Sequence, residues 1–282
     1  MDHAQANPLS VQRNVILGLL LALAAGAWAV LVWQSADADM DMTMASSTMG
    51  LRAPLFLAIW VAMMVAMMFP TAAPMILIFH KVQAGKRQRG DTFVSTWVFV
   101  AAYILVWTLA GVAAYAGALA AEAIALRAAL SPATAARIGG AVLILAGIYQ
   151  LTPLKDLCLS KCRTPITFIM TSWRDGAVGA LRMGLLHGAY CLGCCWLLFV
   201  ILFPLGIMNI AAMAVITLIV FAEKTVPWGR LAPRATAAAL VAYGAVVIAA
   251  PQLLPTFQKD GAAIPAEMQM KMPGSGSAPA MK

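Results

Sequence analysis

Charge is scarce in this sequence. Of its 282 residues only 11% are Asp, Glu, Lys or Arg, where a soluble domain carries about a quarter. The shortage excludes an ordinary water-soluble fold. Catalytic signatures are missing too. There is no GxxxxGK[ST] loop, no GxGxxG after a strand and no GxSxG elbow, so ATP-driven or hydrolytic chemistry has no support and no enzyme is expected. The sequence shows no internal repeat and no second soluble domain. The first apolar run lacks a strong basic leader and ends in VLVWQSADADM without a clean small-residue cleavage site, so it is expected to be retained as a span.

What fills the chain instead is apolar: 62% of residues. Runs near the membrane-spanning length lie at about 14–33, 54–79, 93–121, 137–152, 179–203, 208–223 and 235–254. They predict an all-α polytopic transmembrane helix bundle of about seven spans over residues 1–258, with a flexible Met-rich tail at 259–282. The expected location is the bacterial inner (cell) membrane, in contact with lipid.

The net charge is +8, but its distribution argues against nucleic acid. Lys81, Lys86, Arg87 and Arg89 share one loop, Lys155, Lys161, Arg163 and Arg174 another, and Lys224, Arg230 and Arg234 a third. With Arg13 ahead of the first run, this is the positive-inside alternation. It places the N-terminus in the cytoplasm and the C-terminus outside, so the basic residues orient the chain and no nucleic-acid partner is expected. Ser131-Pro132 reads as the start of the fourth helix, a capping hydroxyl followed by a first-turn proline.

Two polar segments carry methionine for no reason of core formation. The first outer loop, DADMDMTMASSTM, holds Met40, Met42 and Met44; the tail, AEMQMKMPGSGSAPAMK, holds Met268, Met270 and Met272. The charge pattern puts both on the outer side. A thioether is a soft ligand that suits Cu(I), so these residues are candidates for metal capture.

The stretch HGAYCLGCCWLLF concentrates soft donors inside an apolar run. Met183, His187, Cys191 and Cys195 are spaced by four, and Cys194 falls beside them, so a helix presents a thioether, an imidazole and three thiols on one face. Gly188 and Gly193 leave room there for another helix to approach. Polar groups within spans are rare and usually functional, although cysteine also packs as a small hydrophobe. In the second run, WVAMMVAMMFPTAAP, Met63 and Met67 share one face and Met64 and Met68 the next. Pro70 and Pro74 follow, and each is expected to bend or break the helix and free carbonyls beside the methionines.

The segment LTPLKDLCLSKCRTP places Cys158 and Cys162 four apart in an expected cytoplasmic loop, where Lys155, Lys161 and Arg163 would favour thiolates. That pair fits metal release or a redox couple. Asn209 and Glu223 flank the sixth run as candidate polar support, with Glu223 read as an interfacial anchor before a buried carboxylate, closing the span together with Lys224.

Taken together, WVAMMVAMMFPTAAP, LTPLKDLCLSKCRTP, HGAYCLGCCWLLF and GIMNIAAMAVITLIVFAEK resemble the bacterial family of uncharacterised, predicted metal-binding integral membrane proteins. The resemblance implies a polytopic membrane protein with a metal site and supplies no activity. The function expected is binding of a soft metal ion, Cu(I) before zinc, for copper handling, transfer or transport across the membrane. Two alternatives stand beside it: a membrane thiol oxidoreductase, and a non-catalytic assembly partner of a membrane copper enzyme. A copper chaperone or membrane enzyme is the partner class that follows.

Overall fold

The computed structural model describes residues 8–38, 52–226 and 231–255. Among these residues the chain is helical and contains no strand. In chain order the helices are α1 (Pro8–Ala38), α2 (Ala53–Gln88), α3 (Thr96–Arg127), α4 (Pro132–Tyr149), α5 (Pro153–Arg163), α6 (Pro165–Ser172), α7 (Gly176–Val200), α8 (Leu202–Leu205), α9 (Ile210–Thr225) and α10 (Leu231–Ala249).

Local chemistry sets most of the starts. Ser131 caps α4 by accepting from the Thr134 amide at 3.2 Å, with Pro132 in the first turn, as the Ser-Pro signal predicts. Thr152 does the same for α5 and Asn209 for α9. Pro153 and Pro165 open α5 and α6.

Six helices are long and apolar enough to cross a membrane among the described residues, consistent with a multi-pass membrane protein. The sixth expected run forms α9, only 16 residues long and short of the roughly 20 needed to span alone. Between α4 and α7 the expected loop is replaced by α5 and α6, which fold onto the bundle.

Central helix α2 contacts α1, α3, α6 and α9. It does not break at Pro70 or Pro74: it runs unbroken from Ala53 to Gln88. Proline at position 70 removes the amide that would bond the carbonyl of Ala66. The indole of Trp28 on α1 donates to that carbonyl at 3.1 Å instead. A neighbouring helix thus satisfies the freed group, which is the usual way a proline is tolerated inside a membrane helix. At the other end of α2, Lys86 pairs with Asp175 at the start of α7 and lies over the ring of Trp173.

Candidate metal centre

The site is built where α7 meets α3 on one side and α5 on the other. Glycine allows both approaches. A Cβ on Gly188 would lie 2.9 Å from Val106 of α3, and one on Gly193 would lie 2.7 Å from the Cys158 sulfur of α5. Any larger residue would push these helices apart.

The helical stripe on α7 is present as its spacing predicts. Met183, His187, Cys191, Cys194 and Cys195 are all buried. What the spacing could not show is their partners. Cys191 Sγ lies 3.1 Å from the Tyr103 hydroxyl and 3.1 Å from the Lys224 ammonium. Cys194 and Cys195 turn back along their own helix and donate to the Cys191 carbonyl at 3.1 and 2.9 Å. His187 is enclosed by rings, with centroids 5.4 Å from Tyr103, 5.9 Å from Phe99 and 5.8 Å from Phe168. Neither of its ring nitrogens has a hydrogen-bond partner. A buried imidazole normally satisfies at least one nitrogen, so this one is available to a ligand.

Cys158 and Cys162 do not hang in a loop. They lie on α5 against the middle of α7, with the Cys162 thiol beside those of Cys191 and Cys194. Two of the basic neighbours are turned towards Glu223. Lys155 is committed to Glu223 at 2.6 Å, and Arg163 Nε donates to the Glu223 carbonyl at 2.5 Å. The hydrogen bonds to Cys191 and Cys194, followed by burial, push the Cys162 thiol well above its ordinary value. Burial, with Cys194 beside it, pushes Cys158 up as well.

Of the two readings of Glu223, the structure shows the buried carboxylate. It is 2% exposed and forms a buried ion pair with Lys155, itself 1% exposed. Asn209 is a structural cap: its Oδ1 accepts from the Ala212 amide and its Nδ2 donates to the Leu205 carbonyl, both at 3.1 Å. Met63, Met64, Met67 and Met68 are fully buried, which the central position of α2 by itself explains. Their helix reaches the thiols through Thr71, whose Oγ1 accepts from Lys224 at 3.2 Å. Met40, Met42, Met44, Met268, Met270 and Met272 lie outside the described residues.

Among the described residues no three His, Cys, Asp or Glu side chains are arranged to hold an ion. Two thiols point back at backbone, the imidazole is held in its aromatic cage, and an ammonium sits at the central sulfur. The donor set nonetheless fits a soft ion: thiols, thioethers and an unpartnered imidazole suit Cu(I).

Lys224 and Tyr103 are the site residues that sequence reasoning passed over. Lys224 sits in the last turn of an apolar run, where a charge reads as the end of the span. Tyr103 has no signal of its own. A signal for α5 did exist: Thr152-Pro153 is the same capping pair as Ser131-Pro132.

The family model described as PpoB2, copper chaperone, matches residues 57–247. No curated protein and no solved structure matches the chain significantly. The matched span runs from α2 into α10 and takes in every cysteine, the α2 methionines, Tyr103, His187, Glu223 and Lys224. The role is therefore copper-related, and the chain belongs to the PpoB2 copper-chaperone family.

Proposed function

We propose that this chain is a multi-pass protein of the bacterial inner membrane that binds Cu(I) among the thiols of α5 and α7 and hands it on, across the membrane or to a copper enzyme. One observation carries the reading. All five cysteines of the sequence are free and lie on two helices that share one interface, with Cys162 beside Cys191 and Cys194, and Cys158 against Gly193. The ligands are drawn from Cys191, Cys162, Cys194 and Cys195, with His187 and Met183 at the edge of the cluster. Met63, Met64, Met67 and Met68 offer thioethers on the neighbouring helix. Met40, Met42 and Met44 with Met268, Met270 and Met272 would collect the ion outside. Thioethers favour Cu(I) over zinc.

The positive-inside alternation puts the N-terminus in the cytoplasm and the C-terminus outside. That orientation requires a seventh crossing through α9, whose 16 residues by themselves are short of a span.

The test uses the full chain, purified in detergent and loaded anaerobically with Cu(I). Copper stoichiometric with protein is expected, with sulfur neighbours in X-ray absorption. Undiminished copper in the variant replacing Cys191, Cys194 and Cys195 by serine would refute the assignment. Removing residues 266–282 should weaken loading when copper is scarce and leave it normal when copper is plentiful.

The contact between Cys162 and Cys191 also fits a thiol oxidoreductase. Mass mapping separates the two readings. Copper binding expects both thiols reduced in growing cells, whereas a steady fraction of Cys162–Cys191 disulfide would favour electron transfer.

A further inference from the structure

Lys224 is the least expected member of the cluster. Its ammonium lies 3.1 Å from Cys191 Sγ and 3.2 Å from Thr71 Oγ1, in a buried position between α2, α7 and α9. It forms no ion pair with Asp or Glu among the described residues. The neighbouring carboxylate, Glu223, is taken by Lys155 at 2.6 Å. A buried ammonium needs an anion beside it, and the group within reach that can carry one is a thiol. Cys191 is the sulfur it touches. Cys191 is also the sulfur on which the Tyr103 hydroxyl and the Cys162 thiol converge. Cys194 and Cys195 donate to the Cys191 carbonyl and so keep their protons.

Resting on the Cu(I) reading above, we propose that Lys224 is the fixed counter-charge of the site: it neutralises a Cu(I) ion held between the thiolates of Cys162 and Cys191, and thereby matches the site to a monovalent soft ion. The charges close. Two thiolates and one Cu(I) sum to a single negative charge, and the ammonium cancels it. Zn(II) between the same two thiolates is already neutral, so Lys224 then leaves an uncompensated positive charge in apolar surroundings, where unscreened charge is costly. Reaching neutrality with zinc needs a third thiolate, which means breaking a bond to the Cys191 carbonyl or drawing Cys158 in from Gly193. Lys224 is a positioning residue and not a ligand, because an ammonium has no lone pair to give.

The experiment compares full-length wild type, Lys224→Met and Lys224→Arg in detergent. Cu(I) affinity is read by competition with a chromophoric Cu(I) chelator, and Zn(II) affinity by a zinc indicator. Lys224→Met should lower Cu(I) affinity by about tenfold or more and lower the ratio of Cu(I) to Zn(II) affinity with it. Lys224→Arg keeps the charge and should restore most of both. Unchanged Cu(I) affinity in Lys224→Met overturns the proposal, and so does an arginine variant as impaired as the methionine one. Should Lys224→Met fail to fold, X-ray absorption of the copper-loaded wild type decides. A shell of two sulfurs supports the assignment, and three or more sulfurs, or a nitrogen ligand, overturns it. Wild type that takes up no Cu(I) removes the copper reading itself; wild type and Lys224→Met loading alike removes only the role of Lys224.

Discussion

Where α4 meets α10, Gly140 and Gly244 face each other; a Cβ on Gly140 would lie 2.9 Å from the Gly244 carbonyl, and one on Gly244 would lie 2.6 Å from the Gly140 carbonyl. Where α7 meets α3 and α5, Gly188 and Gly193 do the same work. The first contact is surrounded by Ile144, Ile248 and, one turn on, Val241. The second surrounds five thiols with an ammonium, a phenol and an imidazole. Small residues let membrane helices approach, and the approach is indifferent to chemistry. What distinguishes the two interfaces is whether polar groups from a third and fourth helix reach the gap. Around Gly140 and Gly244 the nearest atoms are backbone and isoleucine of the same two helices. At α5–α7, Tyr103 comes from α3 and Lys224 from α9.

The comparison breaks most severely if the buried ion pair beside the thiols is split. Lys155→Met leaves Glu223 charged and alone on α9, at a cost of about 3–5 kcal/mol. A large fall in thermal unfolding temperature is expected, with copper loading lost as α5 separates from α9. A stability close to wild type would show that the pair is not what fastens α5 to the bundle.

Next in size is Cys191→Ser. It removes the sulfur on which Tyr103, Cys162 and Lys224 converge, and the expected loss is about a hundredfold in Cu(I) affinity, near 2.7 kcal/mol. Competition with a Cu(I) chelator measures it. Equal losses for Cys158→Ser and Cys191→Ser would deny Cys191 its central place.

Gly244→Ala tests the other interface. The added methyl meets backbone at Gly140, so α4 and α10 must shift, at about 1–3 kcal/mol. Melting temperature should drop while Cu(I) affinity stays at the wild-type value. A parallel loss of affinity would mean the two interfaces are coupled.

The smallest effect is that of pH. The Cys162 thiol is held above its ordinary value by its hydrogen bonds and burial, so it is protonated before the ion arrives and must release that proton on binding. Affinity should therefore rise with pH across the neutral range, approaching a factor of ten per pH unit for one proton released. In Cys162→Ser the slope should flatten.

Several parts of this molecule are legible in the sequence for local reasons. Helix α4 starts at Ser131-Pro132 because the cap and the fixed proline dihedral act within one turn. The donor stripe on α7 follows from a spacing of four. The proline break in α2 does not survive for a non-local reason: the hydrogen bond that replaces the missing amide comes from Trp28, on another helix, at a distance in sequence that no motif encodes. The same applies to Cys158 and Cys162. Four-residue spacing puts them on one face, but only the close approach allowed at Gly193 turns that face towards Cys191. Glu223 and Lys224 stand side by side at the end of an apolar run, which reads as a boundary. In the structure they part, Glu223 to Lys155 and Lys224 to Cys191.

By itself the sequence determined that the chain is a bundle of apolar helices, that its basic residues cluster in alternate stretches of the sequence, and that one helix carries soft donors along one face. These follow from composition and from the 3.6-residue period, which need no partner. Tertiary structure alone decided that the two cysteine groups are one group, that α2 continues through its prolines, and that a lysine stands at the central sulfur. Each of those rests on a hydrogen bond or close contact between helices far apart in the chain. In apolar surroundings an unpaired polar group is expensive enough that such contacts, once the helices meet, are fixed by the need to find a partner.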